Sequence, residues 1–141
     1  MNTSMQWLVP DKVLYWKMSG TVHIDDFRTG LLELDAILEE ANYKVHVIVN
    51  ARNARSLEGE ATYIRQITRR VARHIRMGCF FVMSYDLAFK YRLNRVTVDF
   101  GTHLRYSNNF RNTWYSLHNI DNSLPYVAPE LPQVTKTRKF A

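Results

Sequence analysis

An α/β fold is predicted for this 141-residue chain by three observations. The stretch KVHVIVNAR (44–52) packs apolar and β-branched residues into a short window and then turns polar and arginine-bearing. It reads as the central strand of a sheet, ending at the edge where such sheets carry their functional segments. Between runs of this kind, apolar residues recur every three or four positions, the period of a helix with one buried face. The two patterns alternate after an opening pair of strands, giving the order ββαβαβαβα. That alternation implies parallel pairing of the later strands through right-handed crossovers.

Residues 5–9 and 13–19 flank Pro10, Asp11 and Lys12, turn-forming residues that predict a β-hairpin closed by Gly20. Phe27, Leu31, Leu34, Leu38 and Ala41 form the apolar stripe of a helix over 24–41, with Asp25 and Asp26 at its positive end. In 44–52, Val45, Val47 and Val49 point one way and His46, Ile48 and Asn50 the other, as in a strand covered on both faces. Asn, Ser and Gly over 51–59 predict a loop.

A helix over 60–76 follows. Its buried stripe is Ile64, Ile67, Val71 and Ile75; Arg65, Arg69, Arg73 and Arg76 lie on the opposite side, and Gly78 stops it. Residues 79–83, CFFVM, form a buried strand. Ser84, Tyr85 and Asp86 offer caps for a helix over 87–100, closed by Gly101, with Phe89, Leu93, Val96 and Phe100 inward. A second stripe, Leu87, Tyr91 and Val98, lies away from the first and asks for a cover. That cover is another element, a homodimer contact or an apolar ligand; in the last case Tyr85 and Phe89 would line the pocket, although both read better as core residues. A short strand over 103–106 precedes a helix carrying Phe110, Trp114 and Leu117, capped by Ser107 or Asn108. The single domain spans 1–125, and 126–141 reads as an extended, partly disordered basic tail with Lys136, Arg138 and Lys139.

A chain of this size buries a proper core as one domain. No apolar run approaches the ~20 residues that span a bilayer, and the opening MNTSMQWLVP lacks the pattern of a secretory signal. The lone cysteine, Cys79, excludes an internal disulfide, so a cytoplasmic location is the simplest expectation. The net charge of +6 is unevenly spread. Asp25, Asp26, Glu33, Asp35, Glu39 and Glu40 crowd the first helix, while Arg52, Arg55, Arg65, Arg69, Arg70, Arg73 and Arg76 crowd the next segment. The basic face either meets an acidic protein, a phosphate-bearing ligand or an anionic membrane, or is a solvated face balanced by the acidic helix. Aromatics are not interleaved with these arginines, which argues against nucleic acid.

The sequence contains no P-loop, dinucleotide fingerprint, nucleophile elbow, zincin motif or C-x-x-C. His23, His46, His74, His103 and His118 show no metal-ligand spacing, and nothing calls for a cofactor. His46 reads as a hydrogen-bonded structural histidine, and Cys79 as a small buried residue.

The segments VLYWKMSGTVHIDDF, VHVIVNARN, HIRMGCFFVMSYDLAFKYRLNRV and the closing NIDNSLP carry a family resemblance. Over about residues 5–125 the chain resembles the STAS domain, the SpoIIAA-like fold of bacterial anti-sigma-factor antagonists, and more closely small stand-alone STAS/SEC14-like bacterial proteins. The resemblance implies a non-enzymatic regulatory domain presenting the segment after the central strand to a partner protein. In the antagonists that segment bears a phosphorylatable serine in an Asp-Ser-Ser-Gly-like motif. Here it reads Asn53-Ala54-Arg55-Ser56-Leu57-Glu58-Gly59, so Ser56 is the candidate phosphosite without the paired serines. Arg52, Arg55, Arg65, Arg69 and Arg73 are the candidate partner- or anion-binding residues. The alternative is a SEC14-like carrier of a small molecule or lipid, with a cavity between the third helix and the sheet. An enzyme ranks last.

Overall fold

The computed structural model describes residues 3–132, apart from the side chain of Tyr63. The hairpin forms as expected: β1 (Thr3–Val9) pairs antiparallel with β2 (Val13–His23). Asp11 takes the left-handed conformation of the turn (φ 67°), which Asp tolerates better than most residues. β3 (Val45–Glu58), β4 (Met77–Met83) and β5 (Leu104–Ser107) then add in parallel, so the sheet runs β1-β2-β3-β4-β5 with β3 in the centre.

Three helices cover one face: α1 (Ile24–Glu40), α2 (Arg65–Ala72) and α3 (Leu87–Val96). A fourth, α4 (Phe110–Ile120), covers the other. On the first face an aromatic chain ties the layers together. Trp16 of β2 stacks on Phe27 of α1 (5.1 Å) and meets Phe80 of β4 edge-on (6.3 Å), and Phe80 stacks on Phe100 (4.7 Å). The second face is smaller: Val13, Ile48, Phe81 and Met83 pack against Trp114 and Leu117 of α4 and against Leu124.

Several boundaries move. β2 does not stop at Gly20, which adopts φ 63° inside it, and the expected loop over 51–59 is instead the far half of β3. The cause is two bulges. Between Lys17/Ser19 and Asn50/Asn53, and again between Gly20/Thr21 and Ala54/Ser56, β3 carries one residue more than β2. Each extra residue resets the alternation. Ala51, Ala54 and Leu57, three apart, therefore all reach the helix-side core, and the period of two is lost from the sequence.

The helix expected over 60–76 is shorter. A 3-10 turn (Ala61–Ile64) leads into α2, which ends at Ala72. Beyond it the carbonyl of Arg76 accepts from Val45 N (2.8 Å), a strand bond that takes the chain into β4. Ile75, expected in the buried stripe, is consequently 79% exposed, and Gly78 lies within β4 rather than ending a helix. α3 stops at Val96. Thr97 departs from helical geometry, its hydroxyl donating to Leu93 O (2.6 Å), and a 3-10 turn (Val98–His103) follows. Phe89, Leu93, Val96 and Phe100 are all buried as expected. Asp86 caps α3 through Phe89 N (2.9 Å), and Asn109, one residue beyond the expected caps, serves α4 through Asn112 N (2.8 Å).

No regular element follows α4 within the described residues, yet Leu124 and Ala128 still pack on the second face, and Trp114 Nε1 donates to Pro125 O (3.0 Å). The rest of the predicted tail, 133–141, lies outside the described residues. Among those described, no helix is long and apolar enough to cross a membrane.

Candidate functional site

The candidate residues are distributed by the unequal lengths of β3 and β4. β4 ends at Met83, opposite Asn50, whereas β3 continues beside β2 to Glu58. Arg52, Arg55 and Ser56 therefore sit on a strand that has a neighbour on one side, beyond the carboxyl end of β4. Asn50 organises the start of this overhang. Its Nδ2 donates to the Tyr15 hydroxyl (2.8 Å), and its Oδ1 accepts from Arg52 N (3.2 Å) and Arg52 Nε (3.0 Å). Arg52 is thereby held, while Arg55 is exposed. The two share a small recess of about 380 Å³ with Asn53, Ala54, Tyr85 and Asp86.

Ser56 is half-buried within β3, not at a helix start. Its hydroxyl donates to Glu58 Oε2 (3.3 Å) and lies 3.4 Å from Thr21 Oγ1. A phosphate there would face the Glu58 carboxylate.

Arg65, Arg69 and Arg73 stand exposed on or just after α2 and line no part of the recess. The acidic and basic helices do lie side by side, paired through Arg70 Nε to Asp35 (3.2 Å) and His74 Nε2 to Glu39 (3.1 Å). Arg69 has a looser neighbour in Asp99, at 3.8 Å. Arg55, Arg65 and Arg73 have no carboxylate partner among the described residues.

Leu87, Tyr91 and Val98 are 77, 66 and 61% exposed, and no described element covers them. The Arg95 guanidinium lies 6.0 Å from the centre of the Tyr91 ring. Phe89 is wholly buried in the main core, as its place in the inward stripe predicts, whereas Tyr85, also expected in the core rather than in a pocket, is 65% exposed and borders the recess.

The opposite end of the sheet holds an arrangement the sequence reading did not assemble. Between Val45↔Met77 and Val47↔Phe80, β4 carries an extra residue, placing Gly78 and Cys79 opposite His46. The Cys79 amide, displaced from the ladder, donates to His46 Nδ1 (3.0 Å). A backbone N–H can only donate, so Nδ1 is the acceptor and the imidazole proton sits on Nε2, which donates to Asp121 Oδ2 (2.8 Å). Asp121 Oδ1 accepts from Ser123 Oγ (2.7 Å) and Ser123 N (3.0 Å). Burial pushes the Asp121 carboxyl up, but the hydrogen bonds from Ser123 and His46 outweigh it and hold the group below the usual carboxylate range. Burial raises the Cys79 thiol; the Asp121 charge adds to this, and Arg105 and Lys44 oppose it. The His46 expectation of a hydrogen-bonded structural histidine is what the geometry shows. The signal for its partner was available in the closing NIDNSLP, but an acid 75 positions away cannot be matched to a histidine by spacing. Among the described residues no three His, Cys, Asp or Glu are grouped to hold a metal ion.

No protein-family model matches the sequence, and neither does any curated protein. Solved structures do match in shape. The anti-sigma factor antagonist SpoIIAA in its unphosphorylated form aligns over 83% of this chain and 96% of its own, with a TM-score of 0.60 and 7% identity. An uncharacterized DUF3478-family protein with a SpoIIAA-like fold from Shewanella loihica PV-4 aligns over 78% of this chain and 87% of its own, at a TM-score of 0.52 and 9% identity. At such identities the likeness is one of fold, and the fold is SpoIIAA-like (STAS): an N-terminal hairpin, then β-α units on a five-stranded mixed sheet.

Proposed function

From a SpoIIAA-like fold and a largely unpaired basic ridge, we propose that this chain is a non-catalytic interaction domain that captures an acidic segment of a partner protein. The carrying observation is the division of charge on and around α2. Arg70 and His74, which face α1, are paired with Asp35 and Glu39, whereas Arg65 and Arg73 have no carboxylate among the described residues. Guanidinium groups held on a helix but without partners suit carboxylates brought by another chain. Arg69 adds to the ridge, and Arg52 and Arg55 supply a second basic point at the β3 overhang. The burial-raised thiol of Cys79 and the structural role of His46 support a non-enzymatic reading. That SpoIIAA is named an anti-sigma factor antagonist supports a regulatory role for a domain of this shape.

The test is affinity capture from native lysate with the wild-type chain and with Arg65→Glu/Arg73→Glu, read by quantitative mass spectrometry. Acidic partners should fall by about tenfold or more on the double reversal, since each exposed charge pair is worth up to about 1 kcal/mol and its reversal adds repulsion. The melting temperature should hold, because both side chains are solvent-exposed. Capture that survives the reversal intact removes the ridge from the function.

A further inference from the structure

The structure carries a third basic feature, at the end of the sheet away from the β3 overhang. A cleft of about 590 Å³ opens where β3 and β4 begin, within the range of small-molecule sites. Its inner wall is the bulge described above: Met77, Gly78 and Cys79, with the His46 ring seated against them. Gly78 is required there, because a Cβ would lie 2.4 Å from His46 Nδ1. Tyr43 and Ile120, both exposed, add apolar surface at the mouth.

Lys12, Lys44 and Arg76 line the cleft against a single carboxylate, Asp121. That carboxylate is already engaged on both oxygens, by His46 on one and Ser123 on the other. Lys12 is partly engaged, donating to Ser123 Oγ (3.3 Å) and lying 5.0 Å from the Tyr43 ring centre. Lys44 and Arg76 have no carboxylate partner among the described residues. His103 donates from Nδ1 to Gly78 O (3.1 Å), and its Nε2 has no partner among those residues. Cations gathered in a concave, mostly apolar space repel one another until an anion enters, and such a space concentrates anions. The Cys79 amide is taken by His46, so recognition falls to the side-chain cations.

We infer that this cleft binds a small organic anion, a carboxylate or phosphate on an aromatic or aliphatic body, with Lys44 and Arg76 holding the charged group and Tyr43 and Ile120 the body. The inference is independent of the partner-binding ridge. Arg76, which helical spacing grouped with the α2 arginines, belongs to the cleft because β4 draws it out of the helix.

The experiment titrates the full chain, labelled for amide NMR, with phenyl phosphate and benzoate; benzylamine and benzyl alcohol serve as cationic and neutral controls. Saturable shifts at the amides of Lys44, Gly78 and Cys79 are expected with at least one of the two anions, and whichever binds tighter identifies the headgroup. The controls should move these amides little. Lys44→Gln and Arg76→Gln should each weaken binding about tenfold, while Arg111→Gln, at an exposed position of α4, should leave it unchanged. Should a variant fail to fold, the wild-type affinity still decides: it should fall clearly between about 50 and about 300 mM salt. Non-saturating shifts, equal response to benzylamine, or full affinity in the glutamine variants overturns the site.

Discussion

At Gly30 a methyl group would sit 2.2 Å from a ring carbon of Trp16, so α1 can approach β2 only where the helix presents a bare backbone. Helix propensity alone would favour alanine there, by about 1 kcal/mol. Packing reverses the preference: Gly30→Ala should cost about 1–3 kcal/mol in a denaturant titration, as overfilled cores do. A stabilised variant would show that the Trp16 ring swings aside freely. Asp121 gives a residue-level pH dependence. Its acidity is stronger in the fold than in the unfolded chain, so the unfolded state binds the proton first. The stabilisation is complete above the ordinary carboxylate pKa near ~4 and disappears as pH falls through the lower, folded value. Melting temperature should therefore decline through that acid window, and Asp121→Asn should flatten the decline. An identical acid profile in the variant would remove Asp121 as the source. Gly30 was not legible in the sequence, because nothing in a helical pattern tells which residue a bulky neighbour will approach.

At the scale of elements, long periodic segments were the most legible. α1 and its stripe of Phe27, Leu31, Leu34 and Leu38 emerge directly from the spacing, as does the buried run of β4. The far half of β3 did not, because bulges exchange a two-residue period for steps of three, and Asn, Ser and Gly lent it the composition of a loop. The consequence is measurable by hydrogen–deuterium exchange: peptides covering 51–58 should exchange slowly, as part of a strand bonded to β2. Loop-like exchange there would contradict the continuous strand. α2 was half legible. Its inward residues Ile67 and Val71, and Ile64 in the 3-10 turn before it, are buried as expected, but the pairing of Val45 with Arg76 overrides local helical spacing, and Ile75 ends in solvent.

Across the whole molecule, the charge asymmetry read from the sequence survives as two adjacent helices of opposite sign, stitched by Arg70–Asp35 and His74–Glu39. Composition could show that both a balanced face and a partner-seeking face were available; only the fold could sort the arginines between them. The same holds for the His46 cluster, whose members come from β3, β4 and the end of α4. The sheet order has a further effect on how the molecule is made. Because each strand lies beside its predecessor in the chain, the sheet can assemble as a queue during synthesis, each arrival docking on an edge already built. Among the described residues, α4 and the segment after it supply most of the cover of the second face, with Leu8 and Val9 of β1 at its margin. Until they are made, Val13, Ile48, Phe81 and Met83 lack the cover of Trp114, Leu117 and Leu124. The His46–Asp121 bond ties β3 to the residue that ends α4, so it can form only once the element that covers the second face has been made.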